Sequence, residues 1–159
     1  MERTLDIAWC RAYHTAMNSS VLRQKTEREL LLALMGAANS VEQRMEQALA
    51  EIGLSLAKLG ALTHLAEAGR PITLGELAER VHCVRSNVTQ LVDRLESDGL
   101  VERQSDASDR RVIRAALTDR GRRLQAAGNG ILAEVEATVM GAIEPARARA
   151  LGEILAAIR

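Results

Sequence analysis

Residues 85–94 carry side chains whose types suit the reading of a nucleic acid. Asn and Gln can pair bidentately with adenine and Arg with guanine, while Ser and Thr suit phosphate or thymine-methyl contacts. Helical spacing puts the apolar residues of this stretch on one face, so the pattern predicts a helix with one face in a core and the other in a DNA groove. The apolar face consists of Val88, Leu91, Val92 and Leu95. The polar residues, which fall mostly on the other side, are Arg85, Ser86, Asn87, Thr89, Gln90 and Arg94.

A second charged group lies in the polar segment 104–111, which is predicted to be a hairpin loop. Arg110 and Arg111 would give this loop a basic tip thin enough for the minor groove. Asp109 could pin one of the two guanidinium groups in place. The strand-like stretches that flank the loop are 100–103 and 112–117.

Helix-capping signals predict the elements that must position these two groups. Ser55 can cap a helix that stops at Gly69, and Thr73 with Glu76 forms a capping box in which Glu76 reaches back to the cap. A short helix, a turn at His82-Cys83, a longer helix and a hairpin then make a winged helix-turn-helix. Further predicted helices span about 74–80, 85–97, 118–143 and 145–158, and Gly128-Asn129-Gly130 is predicted to mark a bend or break.

The first third of the chain is predicted to be helical. Residues 2–17 contain no Gly or Pro, and Asn18-Ser19-Ser20 is predicted to be a break or an N-cap. An apolar stripe then runs from Leu31 to Ile52 in alternating steps of three and four. Such a stripe is too long for a small domain to cover, so it predicts a dimer arm. The fold class is mainly α with a small β wing, divided into 1–52 (N-terminal arm), 53–123 (DNA-binding domain) and 124–159 (C-terminal dimerisation helices).

Composition excludes several other classes of protein. The 159 residues carry no net charge and are 47% hydrophobic with two prolines, which excludes a polycation and a disordered chain. Two cysteines are too few for a disulfide scaffold or a four-thiolate zinc site. The longest apolar run, Leu30–Ala38, cannot span a bilayer, and no signal-like segment follows Met1, so we expect a cytoplasmic protein. Locally, residues 80–123 hold ten Arg against seven acids, which favours DNA as a partner.

Residues 53–123 resemble the DNA-binding domain of the multiple-antibiotic-resistance regulator (MarR) family. The matching pieces occur in the family's order and spacing over about 70 consecutive residues. The flanking helices also match the family plan, in which the terminal helices interlock as a dimer. The pieces are Gly53-Leu54-Ser55, Ile72-Thr73-Leu74-Gly75-Glu76-Leu77-Ala78, Val88-Thr89-Gln90-Leu91-Val92-Asp93-Arg94-Leu95-Glu96, Gly99-Leu100-Val101-Glu102-Arg103, Asp106-Ala107-Ser108-Asp109-Arg110-Arg111 and Leu117-Thr118-Asp119-Arg120-Gly121.

The resemblance implies a homodimeric transcriptional regulator, with repression as the expected outcome, that reads a pseudo-palindromic double-stranded operator. It implies that Arg111 enters the minor groove with Asp109 as its buttress, and that Arg110 contacts phosphate. It also implies release of DNA by a small phenolic or anionic effector, for which Trp9 and Tyr13 are candidate contacts. No cofactor, metal site or catalytic residue is predicted, and the chain is not expected to be an enzyme.

The sequence departs from the family pattern at the turn before the recognition helix. His82 stands where many members have Gly, and Val84 stands where many have a capping Ser. A β-branched cap costs about 1 kcal/mol unless Ser86 takes over its role. Cys83, between these positions, is predicted to be a core residue.

Two alternative functions remain open from the sequence. Cys10, beside Arg11 and Tyr13, faintly resembles the sensing cysteine of the family's organic hydroperoxide branch, so a thiol-based peroxide sensor is one alternative. The other is a winged-helix protein-interaction module without DNA binding, which the neutral overall charge would suit.

Overall fold

The computed structural model describes residues 5–106, 109 and 111–158, with side chains described from residue 26 onward. The chain forms two compact units, divided between Glu42 and Gln43. The architecture is mostly helical with a small antiparallel sheet, which confirms the predicted fold class.

Helix α1 runs without interruption over 46 residues, from Leu5 to Ala50. The predicted break at Asn18–Ser20 is therefore wrong. An Asn or Ser in a helix interior costs only about 0.5 kcal/mol relative to Ala, so three such residues do not end a long helix. From residue 26 onward, α1 exposes several large apolar side chains, namely Leu30, Leu31, Leu32 and Met35.

The second unit contains the winged helix-turn-helix in the predicted order. Each of its helices lies within a few residues of the range predicted from capping and periodicity. Its helices are α2 (Leu56–Ala68), α3 (Leu74–Arg80), α4 (Arg85–Ser97), α5 (Asp119–Gly141) and α6 (Pro145–Ala156), and its hairpin consists of β2 (Val101–Ser105) and β3 (Ile113–Leu117).

A third strand, β1 (Ile72–Thr73), joins the hairpin, so that the sheet order is β1-β3-β2 with antiparallel pairing. Ile72 lies opposite Ala115, and Thr73 lies opposite Arg114. Sequence reasoning missed this strand because two residues are too few to show an alternating pattern. Its effect is to attach the start of α3 to the wing.

The predicted helix caps at Ser55, Thr73 and Thr118 are confirmed. Each side-chain oxygen accepts a hydrogen bond from the backbone N–H three residues later, at 3.0–3.2 Å. Each cap satisfies one of the N–H groups that have no partner within the helix. The starts of α2, α3 and α5 are therefore fixed by local sequence.

An aliphatic core holds these elements together. Leu62 of α2, Leu77 of α3, Leu95 of α4 and Ile72 of β1 are all fully buried. The buried core residues in the described part of the chain are Leu, Ile, Val and Ala. Without large aromatic rings, the helices must approach closely to fill the interior.

Gly128 is one point of close approach, and the break predicted there is wrong because α5 is continuous, whereas the alternative of a bend stays a prediction. A Cβ at this position would lie 2.9 Å from Leu59 Cδ1 and 3.1 Å from Leu54 Cδ1. The glycine therefore serves to let α5 pack on α2, and the energetic cost of Gly in a helix is offset by that packing.

Replacement of Gly121 or Gly130 of α5 by Ala should change the free energy of unfolding in opposite directions. A Cβ at Gly121 would lie 2.0 Å from the Leu100 carbonyl oxygen, whereas nothing lies within 4 Å of one at Gly130. We expect Gly121→Ala to lower the free energy of unfolding by about 2 kcal/mol or more. Gly130→Ala should raise it by about 1 kcal/mol, because Ala is the better helix former.

Urea denaturation followed by circular dichroism, at one fixed protein concentration, would measure both changes. Equal effects of the two substitutions would contradict the packing of α5 described above.

Candidate nucleic-acid interface

Helix α4 has the two faces that the sequence predicts. Val88, Val92 and Leu95 are buried, and Leu91 is half-buried against the core. The predicted reading residues are exposed except for Thr89, which is half-buried and whose hydroxyl donates to the Arg85 carbonyl oxygen at 3.0 Å. The exposed ones are Arg85, Ser86, Asn87, Gln90 and Arg94. The core thus holds α4 from one side and leaves its polar residues accessible.

The start of α4 is not capped by a side chain. Val84 occupies the cap position with φ −68° and ψ 142°, and its side chain makes no capping hydrogen bond. The Val84 side chain is 62% exposed. A hydrophobic residue at this site therefore leaves the helix start less stable than the starts of α2, α3 and α5.

The turn before α4 contains a residue in the left-handed region. His82 has φ 51°, a conformation that favours Gly and costs other residues energy. The prediction that Cys83 belongs to the core is wrong, since its side chain is exposed. The turn brings the Cys83 N–H to the Ala78 carbonyl oxygen at 3.0 Å, and the residue lines a surface cavity.

The wing loop is held by main-chain contacts at its tip. Asp109 Oδ1 accepts a hydrogen bond from the backbone N–H of Arg111 at 2.9 Å, and the Asp109 carbonyl accepts one from Val112 N–H at 2.9 Å. Among the described residues, Asp109 contacts the backbone of Arg111 rather than its guanidinium, and pinning of a guanidinium by Asp109 stays a prediction. Arg111 itself is exposed, and Arg110 lies outside the described residues.

Asp106 anchors the base of the same loop. Its Oδ2 lies 2.5 Å from Arg114 Nε on β3, and its Oδ1 accepts a hydrogen bond from the Asp109 N–H at 3.3 Å. Asp106 lies in the motif 106–111, but its role at the base of the loop was not predicted. An Asp that opens a polar loop is the available signal, because its side chain can bond to the backbone two or three residues on.

Arg103 of β2 joins the wing to α4. It donates to Glu96 Oε2 and to Asp93 Oδ1, both at 2.5 Å. The hydrogen bond to Asp93 and that to Glu96, together with the charges of both acids, raise the pKa of Arg103 above its ordinary value, although desolvation opposes them. This pairing depends on tertiary structure and has no local signal in the sequence.

A cavity of about 620 Å³ lies between α2, the turn and α4. Its walls include Gly60 and His64 of α2, Arg80 of α3 and Cys83 of the turn. Three of the predicted DNA-reading residues, Asn87, Gln90 and Arg94, also line it. A small molecule in this cavity would therefore contact the recognition helix directly.

Arg80 at the cavity wall is held by Glu76. The Glu76 carboxylate accepts hydrogen bonds from Arg80 at 3.2 Å and from Arg70 at 2.8 Å, so it does not reach back to Thr73 as the capping box predicts. Desolvation raises the pKa of Glu76, but the hydrogen bonds and charges of the two arginines outweigh it and the pKa lies below its ordinary value. The two arginines compete successfully with the backbone for this carboxylate.

The candidate residues of α1 lie outside the described side chains. This applies to Trp9, Cys10 and Tyr13, which the sequence suggested as effector contacts and as a sensing thiol. Among the described residues, no helix is long and apolar enough to cross a membrane.

The segment that carries this interface is similar in sequence to proteins of a known family. Residues 54–113 match the family model of the MarR family. The matched segment spans less than half of the chain and includes α2, β1, α3, α4 and β2. The HTH-type transcriptional repressor MdtR of Bacillus subtilis is 33% identical over 93 residues, which cover 58% of this chain and 59% of MdtR.

Solved structures extend the likeness in fold to most of the chain. The YusO protein of Bacillus subtilis is 25% identical with a TM-score of 0.68, covering 85% of this chain and 95% of YusO. The ligand-free organohalide-sensing transcriptional regulator RdhR is 24% identical with a TM-score of 0.73, covering 84% and 79% of the two chains. The alignments to the curated relatives span about 60% of the length of those proteins.

The uncapped start of α4 makes a direct prediction. Val84→Ser should supply the missing side-chain acceptor and raise the free energy of unfolding by about 1 kcal/mol, whereas Ser55→Ala should lower it by about the same amount. Urea denaturation at fixed protein concentration would measure both. A Val84→Ser protein no more stable than the wild type would mean that another group already caps this helix.

Proposed function

We propose that this chain is a homodimeric transcriptional regulator of the MarR family, most simply a repressor, that binds a pseudo-palindromic DNA operator. The observation that carries the proposal is the exposed polar face of α4 beside a wing whose tip presents Arg111. In this assignment residues 53–123 bind DNA, and the arms 1–52 and 124–159 dimerise.

Each part of the interface has a role that its chemistry suits. Asn87 and Gln90 read adenine edges in the major groove, Arg85 and Arg94 bind guanine or phosphate, and Arg111 enters the minor groove. The Asp109 contact holds the backbone at Arg111, which fixes the direction in which the arginine leaves the loop. The wing and the helix then address adjacent grooves of one half-site.

The proposed partner for dimerisation is a second copy of the chain. In the first unit, Leu30, Leu31 and Met35 of α1 are more than half exposed. In the second unit, Ile154 and Ile158 near the C-terminus are exposed as well. Apolar surface of this extent is costly in water, and covering it by a twofold partner would set two recognition helices about 34 Å apart on the operator.

The proposed effector site is the cavity between α2 and α4. A phenolic or anionic molecule suits it because the walls combine Leu56 and Leu91 with the cation of Arg80. An occupant would contact Asn87, Gln90 and Arg94, the residues proposed to meet DNA. Effector and operator would therefore compete for the same edge of α4.

The proposed DNA binding predicts a steep dependence on salt. A duplex selected from a random pool for tight binding should bind with a stoichiometry of two chains per duplex. Its affinity should fall on the order of a thousandfold between roughly 50 and 200 mM salt, because phosphate contacts release counterions. Fluorescence anisotropy would measure both quantities. Tight binding without a salt slope would count against the proposed phosphate contacts, and no binding to any duplex would favour the protein-interaction module instead.

In the same assay, variants at the interface distinguish residues that contribute to affinity from residues that contribute to sequence preference. Arg111→Ala should weaken binding by about tenfold per half-site while the protein stays folded. Asn87→Ala and Gln90→Ala should relax the ranking of operator variants more than they weaken binding to a scrambled duplex. An unchanged ranking for both would place base reading elsewhere on the protein.

Arg80 and Arg70 both bind Glu76, but only Arg80 lines the cavity. Substitutions at the two positions should therefore change the response to an effector differently. Salicylate, a phenolic carboxylate, should weaken operator binding by the wild type in the millimolar range or below. Arg80→Gln should raise the salicylate concentration needed by about tenfold, because a charge-assisted hydrogen bond is lost. Arg70→Gln should leave that concentration unchanged, since Arg70 does not line the cavity. Equal effects of both substitutions would argue against this cavity as the effector site.

A further inference from the structure

Arg103 lies on the inner side of the wing strand β2. Val101, two residues earlier and on the same face of the strand, is 2% exposed in the core. Arg103 continues that face toward α4, and its side chain is only 25% exposed. The guanidinium therefore sits between the strand and the recognition helix rather than in open solvent.

This guanidinium binds two carboxylates of α4 at once. Its Nη2 donates to Asp93 and its Nη1 donates to Glu96, which lie three residues apart on one side of the helix. The rigid fork of Arg suits two acceptors in this arrangement, whereas the single ammonium of Lys does not. Arg103 thus ties β2 to nearly a full turn of α4.

The two acids have an electrostatic consequence for the surface of α4. Asp93 is exposed and lies within the same turns as Gln90 and Arg94. The charges of α4 itself, Arg85 and Arg94 against Asp93 and Glu96, sum to zero. Without Arg103, α4 would have no net charge and Asp93 would be an unpaired carboxylate on its exposed side. Such a helix would repel the phosphates of a nearby duplex as much as it attracts them.

We propose that Arg103 is a positioning residue for DNA recognition, which offsets one of the two negative charges of Asp93 and Glu96 and holds the wing against α4. The inference rests on the proposed DNA binding. In this arrangement Arg103 touches the protein's own acids rather than the duplex. Its contribution is to leave α4 with a positive balance and to keep helix and wing at one spacing.

The test uses the full chain with a selected duplex and a scrambled duplex of the same length. Arg103→Gln should weaken binding to both by about tenfold or more at low salt, because two carboxylates lose their counter-charge. Arg103→Lys should fall between Arg103→Gln and the wild type. Adding Asp93→Asn and Glu96→Gln to Arg103→Gln should restore affinity for the scrambled duplex to within about threefold of the wild type, a rescue that a purely structural role would not give.

Arg122→Gln is the matched control. Arg122 is an exposed arginine on α5 that pairs with Asp119 at 3.5 Å, so its loss removes the same charge away from α4. The affinity of the Arg122→Gln protein for either duplex should differ from that of the wild type by less than about threefold. Thermal unfolding by circular dichroism would establish that each variant is folded.

Two results would overturn the inference while leaving the proposed function intact. One is a folded Arg103→Gln protein that binds both duplexes as the wild type does. The other is a triple variant as weak as Arg103→Gln alone. A wild-type protein that binds no duplex would overturn the proposed function itself.

Discussion

The burial of one face of α4 in an aliphatic core is the constraint on which the rest of this structure depends. Val88, Val92 and Leu95 are almost entirely removed from water, which contributes roughly 1.5–3 kcal/mol for each side chain. These contacts orient the helix so that its polar residues face outward. Because the core contains no aromatic ring among its buried residues, the surrounding helices must come close to reach native packing density. Gly121 and Gly128 permit that approach.

Ion pairs around α4 position the parts of the second unit that lie outside the core, namely the wing and the cavity wall. Arg103 connects α4 to β2, Asp106 connects the wing loop to β3, and Glu76 connects Arg80 to Arg70. These pairs are partly exposed, and each contributes little to global stability. Their value lies in geometry, because they fix the wing and the cavity wall relative to the recognition helix.

Local signals in the sequence were enough to predict most of the second unit. Ser55, Thr73 and Thr118 each make a cap within three residues, and the stripe of α4 follows from helical period alone. The failures have a common cause in tertiary structure. Strand β1 exists because Thr73 meets Arg114 far along the chain, and Gly128 is tolerated because Leu59 packs on it. The exposure of Cys83 likewise depends on how the turn at His82 lies against the rest of the domain. The interaction of Arg103 with Asp93 and Glu96 also joins residues of different elements, so no periodicity reveals it.

The two-residue strand β1 gives the wing a second support that is independent of α4. Thr73 both caps α3 and pairs with Arg114, Arg114 holds Asp106, and Asp106 bonds to the backbone of Asp109 near the loop tip. These contacts connect the start of α3 to the wing loop through a continuous series of bonded residues. A small displacement of α3 would therefore be transmitted to the wing even if the recognition helix stayed still.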